Sequence, residues 1–294
     1  MSVGEVATII YQVIGQQRRL NSNRPALIGV AGAQGSGKTT ACQLLEMANR
    51  PRFANFSIDD VYLDTAQRAE LAARTHPLFV TRGPPGTHDI ALARETIAAL
   101  MNLPPPLEGE GERGRGDVQH QTSGGQFTPS PAPPPSRGRD VGVPIPRFDK
   151  IADKMKPRSE WPVFRRRPEA ILVDAWCLGA LPVPPSPPLN AVEEADTNGK
   201  WREIQNEFLR TSYAEWFAEF DAIVYLQAPN WDIVRRWRGQ QEVTLRGRPL
   251  TGTEEAWIDR FIQHYERITR SMIAGGVRAD VLIRLNEARA VIRE

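Results

Sequence analysis

Ala26-Leu-Ile-Gly-Val-Ala-Gly-Ala-Gln-Gly-Ser-Gly-Lys-Thr-Thr40 is the stretch that decides the fold. Within it Gly32, Ala33, Gln34, Gly35, Ser36, Gly37, Lys38 and Thr39 match the phosphate-binding spacing G-x-x-x-x-G-K-[ST]. The apolar run Ala26–Val30 before them reads as a buried strand, and Thr40-Ala-Cys-Gln-Leu-Leu-Glu-Met47 after them reads as a helix. That setting carries the inference, because a glycine-rich turn without it merely caps a helix. The glycines let successive backbone N–H groups, as far as Thr40, turn around a polyphosphate, and the helix N-terminus adds its dipole. Lys38 can reach the outer phosphates and the Thr39 hydroxyl can ligate Mg²⁺. A nucleoside triphosphate is the implied ligand.

Outward from this motif, strand-like runs recur at Ala26–Val30, Phe53–Ile58, Ala170–Ala175, Ala222–Leu226 and Val281–Leu285. Helical periodicity lies near 2–17, 38–48, 66–74, 89–101, 200–218, 231–243 and 254–273. Alternation of this kind predicts an α/β fold, a mostly parallel five-stranded sheet flanked by helices. Ligands of such sheets bind beyond the carboxyl ends of the strands, so the residues just after each run are the ones to inspect.

A chain of 294 residues with 40% hydrophobic content suffices for one full α/β core, so a single domain over 1–294 is expected. The formal net charge of +2 gives no ground for a nucleic-acid partner. Only Cys42 and Cys177 are present, both in apolar surroundings and outside any paired motif. A reduced, cytoplasmic protein without disulfides or a zinc site is expected. Val3, Val6, Ile9, Ile10, Val13 and Ile14 make an amphipathic first helix, interrupted by Glu5 and closed by Gln16-Gln-Arg-Arg19, which reads neither as a signal peptide nor as a membrane span. From Pro104 to about Gly142 the chain is rich in Pro, Gly, Ser and Arg and nearly devoid of large apolar residues. Residues 104–142 are therefore expected to be a disordered insertion; docking of its proline motifs by a partner is the alternative.

Phe56-Ser-Ile-Asp-Asp-Val-Tyr62 ends the second run and so falls beside the phosphate loop. A carboxylate there can accept the proton of a substrate hydroxyl or hold the Mg²⁺ shell. Asp59 is the candidate base; Asp60, on the opposite side of an extended chain, is a candidate for metal or water. Capping of the following helix explains the same pair. In Thr81-Arg-Gly-Pro-Pro-Gly-Thr-His-Asp89, Arg82 suits a substrate carboxylate, while His88 and Asp89 suit hydroxyls. Asp89 equally fits an N-cap of the helix Ile90–Leu100. Trp161 and Trp176 read as core or pocket wall.

The ordered set Gly32–Thr39, Ser57-Ile-Asp-Asp-Val-Tyr62, Arg82-Gly-Pro-Pro-Gly-Thr-His-Asp89, Pro146-Arg-Phe-Asp-Lys150, Ile171-Leu-Val-Asp-Ala-Trp-Cys-Leu-Gly179 and Arg235-Arg-Trp-Arg238 resembles the D-glycerate 3-kinases, the plant-type glycerate kinases. More distantly it is similar to uridine kinase, phosphoribulokinase and pantothenate kinase. The resemblance implies the P-loop fold with a helical lid over about 230–252. It implies phosphate and Mg²⁺ contacts from Lys38 and Thr39, catalytic roles for Lys38, Asp59 and Asp174, and a metal role for Asp174 beside Thr39 and Asp60. It puts Tyr62, Arg82, His88, Asp89 and Arg147 with Asp59 near the acceptor, and Arg235, Arg236 and Arg238 on the lid over ATP. The chain departs from the pattern at Asp174-Ala175, where relatives carry Glu-Gly, and at Val61, where they carry Phe. A plain surface helix with an apolar stripe and solvated arginines accounts equally for Trp231–Arg238.

These readings imply a kinase using ATP and Mg²⁺ on a small-molecule substrate, with D-glycerate first and a nucleoside or pantothenate second. Arg82 and Arg147 favour a carboxylate-bearing acceptor. A regulatory protein that hydrolyses nucleotide slowly is the reading from another class. No Asn-Lys-x-Asp base-reading motif occurs, which argues against GTP.

Overall fold

Strands buried on both faces need no polar alternation, and the apolar runs at Ala26–Gly32, Ala170–Ala175 and Ala222–Gln227 become such strands, whereas Val281–Arg284 at the sheet edge is partly exposed. The computed structural model describes residues 2–105 and 142–293; most of the expected 104–142 insertion lies outside the described residues. The described strands, in chain order, are β1 (Ala26–Gly32), β2 (Phe53–Ser57), β3 (Val143–Pro144), β4 (Phe148–Asp149), β5 (Lys154–Met155), β6 (Val163–Phe164), β7 (Ala170–Ala175), β8 (Ala222–Gln227) and β9 (Val281–Arg284). The helices are α1 (Ser2–Leu20), α2 (Lys38–Ala48), α3 (Thr65–Arg74), α4 (Ile90–Met101), α5 (Ala191–Glu194), α6 (Lys200–Arg210), α7 (Ser212–Phe217), α8 (Trp231–Arg246), α9 (Gly252–Gln263) and α10 (Glu266–Ile273). Five strands form one sheet in the order β2-β7-β1-β8-β9, with every pairing parallel.

Helices cover both faces of that sheet. On one face Val6, Ile10 and Ile14 of α1, Cys42 and Leu45 of α2, and Val234 and Trp237 of α8 pack on Ile28, Val30 and Val224. On the other, Ile97 of α4, Trp216 of α7 and Ile268 of α10 pack on Leu27, Ile171 and Ile223. The register sets Val30 and Ser57 on either side of Asp174, so the carboxyl ends of β1, β7 and β2 finish together. A smaller unit made of the β3–β6 and β4–β5 ladders carries residues 143–164 beside that end.

Two helices read as continuous are broken. The 200–218 segment divides at Thr211, whose ψ of −103° leaves the helical region, and the 254–273 segment divides at His264 and Tyr265. Apolar spacing runs through both breaks, which is why periodicity alone joins the halves. The 3₁₀ turn Ile58–Val61 likewise replaces the extended chain expected at Asp59-Asp60, because Ser57 and Asp60 cap it reciprocally. Among the described residues no helix is long and apolar enough to cross a membrane.

Candidate active site

The loop between β1 and α2 supplies the first part of the site. Gly37 is the N-cap of α2 at φ +93° and, being glycine, offers no side-chain acceptor to the first N–H groups of the helix. Those donors, from Lys38, Thr39 and Thr40, are oriented as an anion requires. Gly35 adopts φ +75°, and a Cβ there would stand 2.7 Å from Trp237 Cβ. The loop thus rests directly on α8. Lys38 Nζ folds back to within 3.5 Å of the Ala33 carbonyl, while the Gln34 and Ser36 side-chain oxygens are buried without a partner.

Asp174, at the end of β7, faces this loop. Its Oδ2 accepts hydrogen bonds from Thr39 Oγ1 at 2.8 Å and Ser57 Oγ at 3.1 Å; its Oδ1 is buried and unpartnered. Burial pushes the carboxyl up to about 6, against the opposing pull of Lys38 and the Thr39 hydrogen bond. A buried carboxylate with a vacant oxygen beside a threonine hydroxyl and a lysine is short of positive charge. A divalent cation held there would supply it, and Mg²⁺ usually needs only one or two protein ligands in phosphate sites. Thr39 and Asp174 therefore fit the expected metal role.

Asp60 is engaged otherwise. Its Oδ2 accepts from the Ser57 N–H at 3.1 Å and from Arg147 at 3.2 Å. The capping explanation of the Asp pair belongs to Asp60, and Arg147 is turned to it. Asp59 instead points into the site: Tyr62 donates its hydroxyl to Oδ1 at 2.6 Å, and Lys150 donates its ammonium to Oδ2 at 2.6 Å. Burial raises its affinity for a proton, but Lys150, Tyr62 and Lys38 outweigh burial and hold it well below the usual carboxylate range. Lys38 lies close enough to lower the proton affinity of both Asp59 and Asp174, and Asp59 close enough to raise that of Asp174.

The 81–89 loop forms the opposite wall. Gly83 sits at φ +116° with its Cα against Tyr265, whose hydroxyl donates to the Arg82 carbonyl at 3.0 Å. Trp176 donates to the Gly83 carbonyl at 3.0 Å and meets Tyr265 edge-on, the wall position expected of it. The Arg82 guanidinium pairs with Asp153, which also pairs with the buried Arg68. Its expected substrate carboxylate therefore has a carboxylate of the chain itself as competitor. Asp89 N-caps α4 through Leu92 N–H at 2.9 Å, so the cap among its two readings is realised.

His88 is buried, stacked on Tyr62 at 4.8 Å, with Nδ1 2.6 Å from the Tyr213 hydroxyl. That hydroxyl already accepts from the Gly86 N–H at 3.1 Å, which leaves its own proton for His88 Nδ1. Nε2 then carries the imidazole hydrogen; it is buried and unpartnered. Burial lowers the imidazole to about 3, so it is neutral at ordinary pH and its Nε2–H stays a buried donor with no partner among the described residues.

Arg235, Arg236 and Arg238 on α8 pair with Asp259, Glu287 and Glu242. The same helix buries the stripe Trp231, Ile233, Val234 and Trp237. What this region brings to the phosphate loop is Trp237 together with Arg289, whose Nε donates to the Gly35 carbonyl at 2.6 Å and whose guanidinium lies 5.0 Å from the Trp237 ring centroid. Lys150, Asp153, Tyr213, Tyr265 and Arg289 escaped the sequence reading. Lys150 alone carried a signal, since it closes the Pro146–Lys150 motif.

No protein-family model matches the chain. Over 82% of its length it is 27% identical to the chloroplastic D-glycerate 3-kinase of Arabidopsis thaliana, covering 46% of that protein. It is 26% identical to an uncharacterized kinase of Schizosaccharomyces pombe across 82% of the chain and 79% of the relative. The chain thus spans about half the length of the plant relative and most of the yeast one. The solved D-glycerate 3-kinase of Cryptococcus neoformans superposes with a TM-score of 0.67 at 21% identity, covering 99% of this chain and 97% of that one. The fold is that of the P-loop kinases, and the resemblance to D-glycerate 3-kinases read from the motifs holds over most of the chain.

Proposed function

We propose that this protein transfers the γ-phosphoryl group of ATP to the terminal hydroxyl of a small hydroxy acid, with D-glycerate as acceptor and 3-phosphoglycerate as product. The observation that carries the reading is Asp59, a carboxylate held by Tyr62 and Lys150 on the acceptor side of a phosphate loop whose Lys38 lies within electrostatic reach. Mg²⁺, when bound, would neutralise charge on the phosphates. Lys38 and the N–H groups of residues 38–40 receive the phosphates, and Thr39 with Asp174 provides the protein's share of the metal shell. Asp59 orients the acceptor hydroxyl and takes its proton as the new O–P bond forms and the bond to the ADP oxygen breaks. His88 Nε2–H, Arg82 and Arg147 line the acceptor side with one neutral donor and two cations, a set that suits a hydroxylated carboxylate. For α8 to bring Arg235, Arg236 and Arg238 over ATP as a lid, their present carboxylate partners have to be exchanged for phosphate oxygens.

The test is one coupled assay of ADP release with D-glycerate, L-glycerate, uridine and pantothenate. Release specific to D-glycerate, with a product consumed by 3-phosphoglycerate-specific enzymes, supports the reading. Stimulation by uridine or pantothenate alone replaces it with the neighbouring kinase class. Slow release indifferent to every acceptor indicates a nucleotide-hydrolysing regulator.

A further inference from the structure

Asp59 has a stationary partner and a movable one. Tyr62 is the stationary one: buried, it lies between the His88 ring at 4.8 Å and the Phe148 ring at 5.4 Å. Lys150 follows β4, its side chain is 55% exposed, and it reaches Asp59 from the turn between β4 and β5. The hairpin itself is fixed on both sides of this residue, through Arg147 on Asp60 and through Asp153 on Arg68 and Arg82. With the backbone anchored on both sides, the half-exposed lysine stem is the part of this hairpin that can leave Asp59 without the chain moving.

The ammonium lies on the oxygen not held by Tyr62, which is the one best placed to receive a hydroxyl proton. We infer that Lys150 is a positioning residue that occupies Asp59 until the acceptor arrives, and so couples phosphoryl transfer to the presence of that acceptor. While the pair is closed, a water at this carboxylate has to compete with a charge-assisted hydrogen bond, and hydrolysis of ATP to ADP and phosphate is suppressed. An acceptor bearing its own negative charge draws the ammonium away and offers its hydroxyl to the oxygen thus released. Its proton passes to Asp59, its oxygen bonds to the γ-phosphorus, and ADP leaves. The inference rests on the kinase reading above.

The experiment compares wild type, Lys150→Met and Lys150→Arg for ADP release from MgATP with and without D-glycerate, alongside melting temperature. Lys150→Met is expected to raise acceptor-free ADP release by roughly threefold or more, as a site that no longer guards its base against water should. The same variant is expected to lose about tenfold or more in kcat with D-glycerate, and Lys150→Arg to recover most of both. A structural role would lower both rates together with the melting temperature. That outcome, or two rates within about twofold of wild type, overturns the inference. The acceptor-free arm decides it whichever acceptor the enzyme uses, whereas the kinase reading stands or falls on the wild-type response to acceptor.

Discussion

Lys38 lies in the first turn of α2 beside the phosphate loop and supports no core. Lys38→Ala is therefore expected to abolish ADP release while leaving the melting temperature within a degree or two of wild type, about what a surface substitution costs. Asp59→Asn retains shape and hydrogen bonding but not the proton acceptor, so kcat should fall by about 10²–10⁴ with KM for ATP little changed. Asp174→Asn removes the charge beside the vacant Oδ1, and a Mg²⁺ titration should show a higher concentration needed for half-maximal rate. His88 gives a pH signature. Its folded value of about 3 lies below the usual 6.5, so between those limits the unfolded chain binds the extra proton and stability falls as pH falls. On going from pH 7.5 to 5.5 the melting temperature of wild type should drop by more than that of His88→Gln. Equal drops would place the imidazole in contact with water. At this scale the sequence was legible wherever the chemistry is local: the phosphate loop with Thr39 and the candidate base Asp59 are separated by only one helix and one strand. Lys150 and Arg289 were not, because each arrives from a distant segment and only packing shows where it lands.

Both helix breaks that periodicity hid deliver a tyrosine to the site. The break at Thr211 turns α7 so that Tyr213 meets His88, and the break at His264 sends Tyr265 to the Arg82 carbonyl. Apolar spacing records which residues are buried and is silent about a change of axis, so each pair reads as one helix. The 81–89 loop was legible as a functional loop, yet its tight contact was not: a Cβ on Gly83 would fall 1.7 Å from the Tyr265 hydroxyl. Gly83→Ala is expected to lower the melting temperature and to raise KM for the acceptor, since Tyr265 or the loop has to move. Asp153 has φ +53° and holds the nearly inaccessible Arg68 together with Arg82. Asp153→Ala should cost about 1–3 kcal/mol in chemical denaturation, the penalty of leaving a buried charged donor unmatched. Because it also releases the 147–156 hairpin from one side, KM for the acceptor should rise more than KM for ATP.

Across the whole molecule, the parallel sheet order puts Lys38 after β1, Asp59 after β2, Asp174 next to last in β7 and Arg289 after β9 at the carboxyl ends of their strands. The five-stranded parallel sheet and its flanking helices were legible, because buried strands and amphipathic helices leave separate periodicities in the sequence, whereas the two-residue strands of the 143–164 ladders are too short to leave one. Closure of the phosphate loop by Arg289, 254 positions away, was not. The seat of the phosphate loop is built from segments far along the chain from it: Trp237 presses on Gly35, Trp237 Nε1 donates to the Glu287 carbonyl at 2.9 Å, and Arg289 donates to Gly35. Arg289 holds φ +63°, so Arg289→Gly removes the guanidinium while relaxing the backbone. KM for ATP is expected to rise about tenfold, the worth of a charged hydrogen bond, with melting temperature kept or raised. A nascent chain feels the same dependence in time. Glycines that leave the ribosome early wait for a residue made 254 positions later before their support is complete, so a polypeptide stalled before Arg289 would carry the complete motif and still lack a finished nucleotide seat.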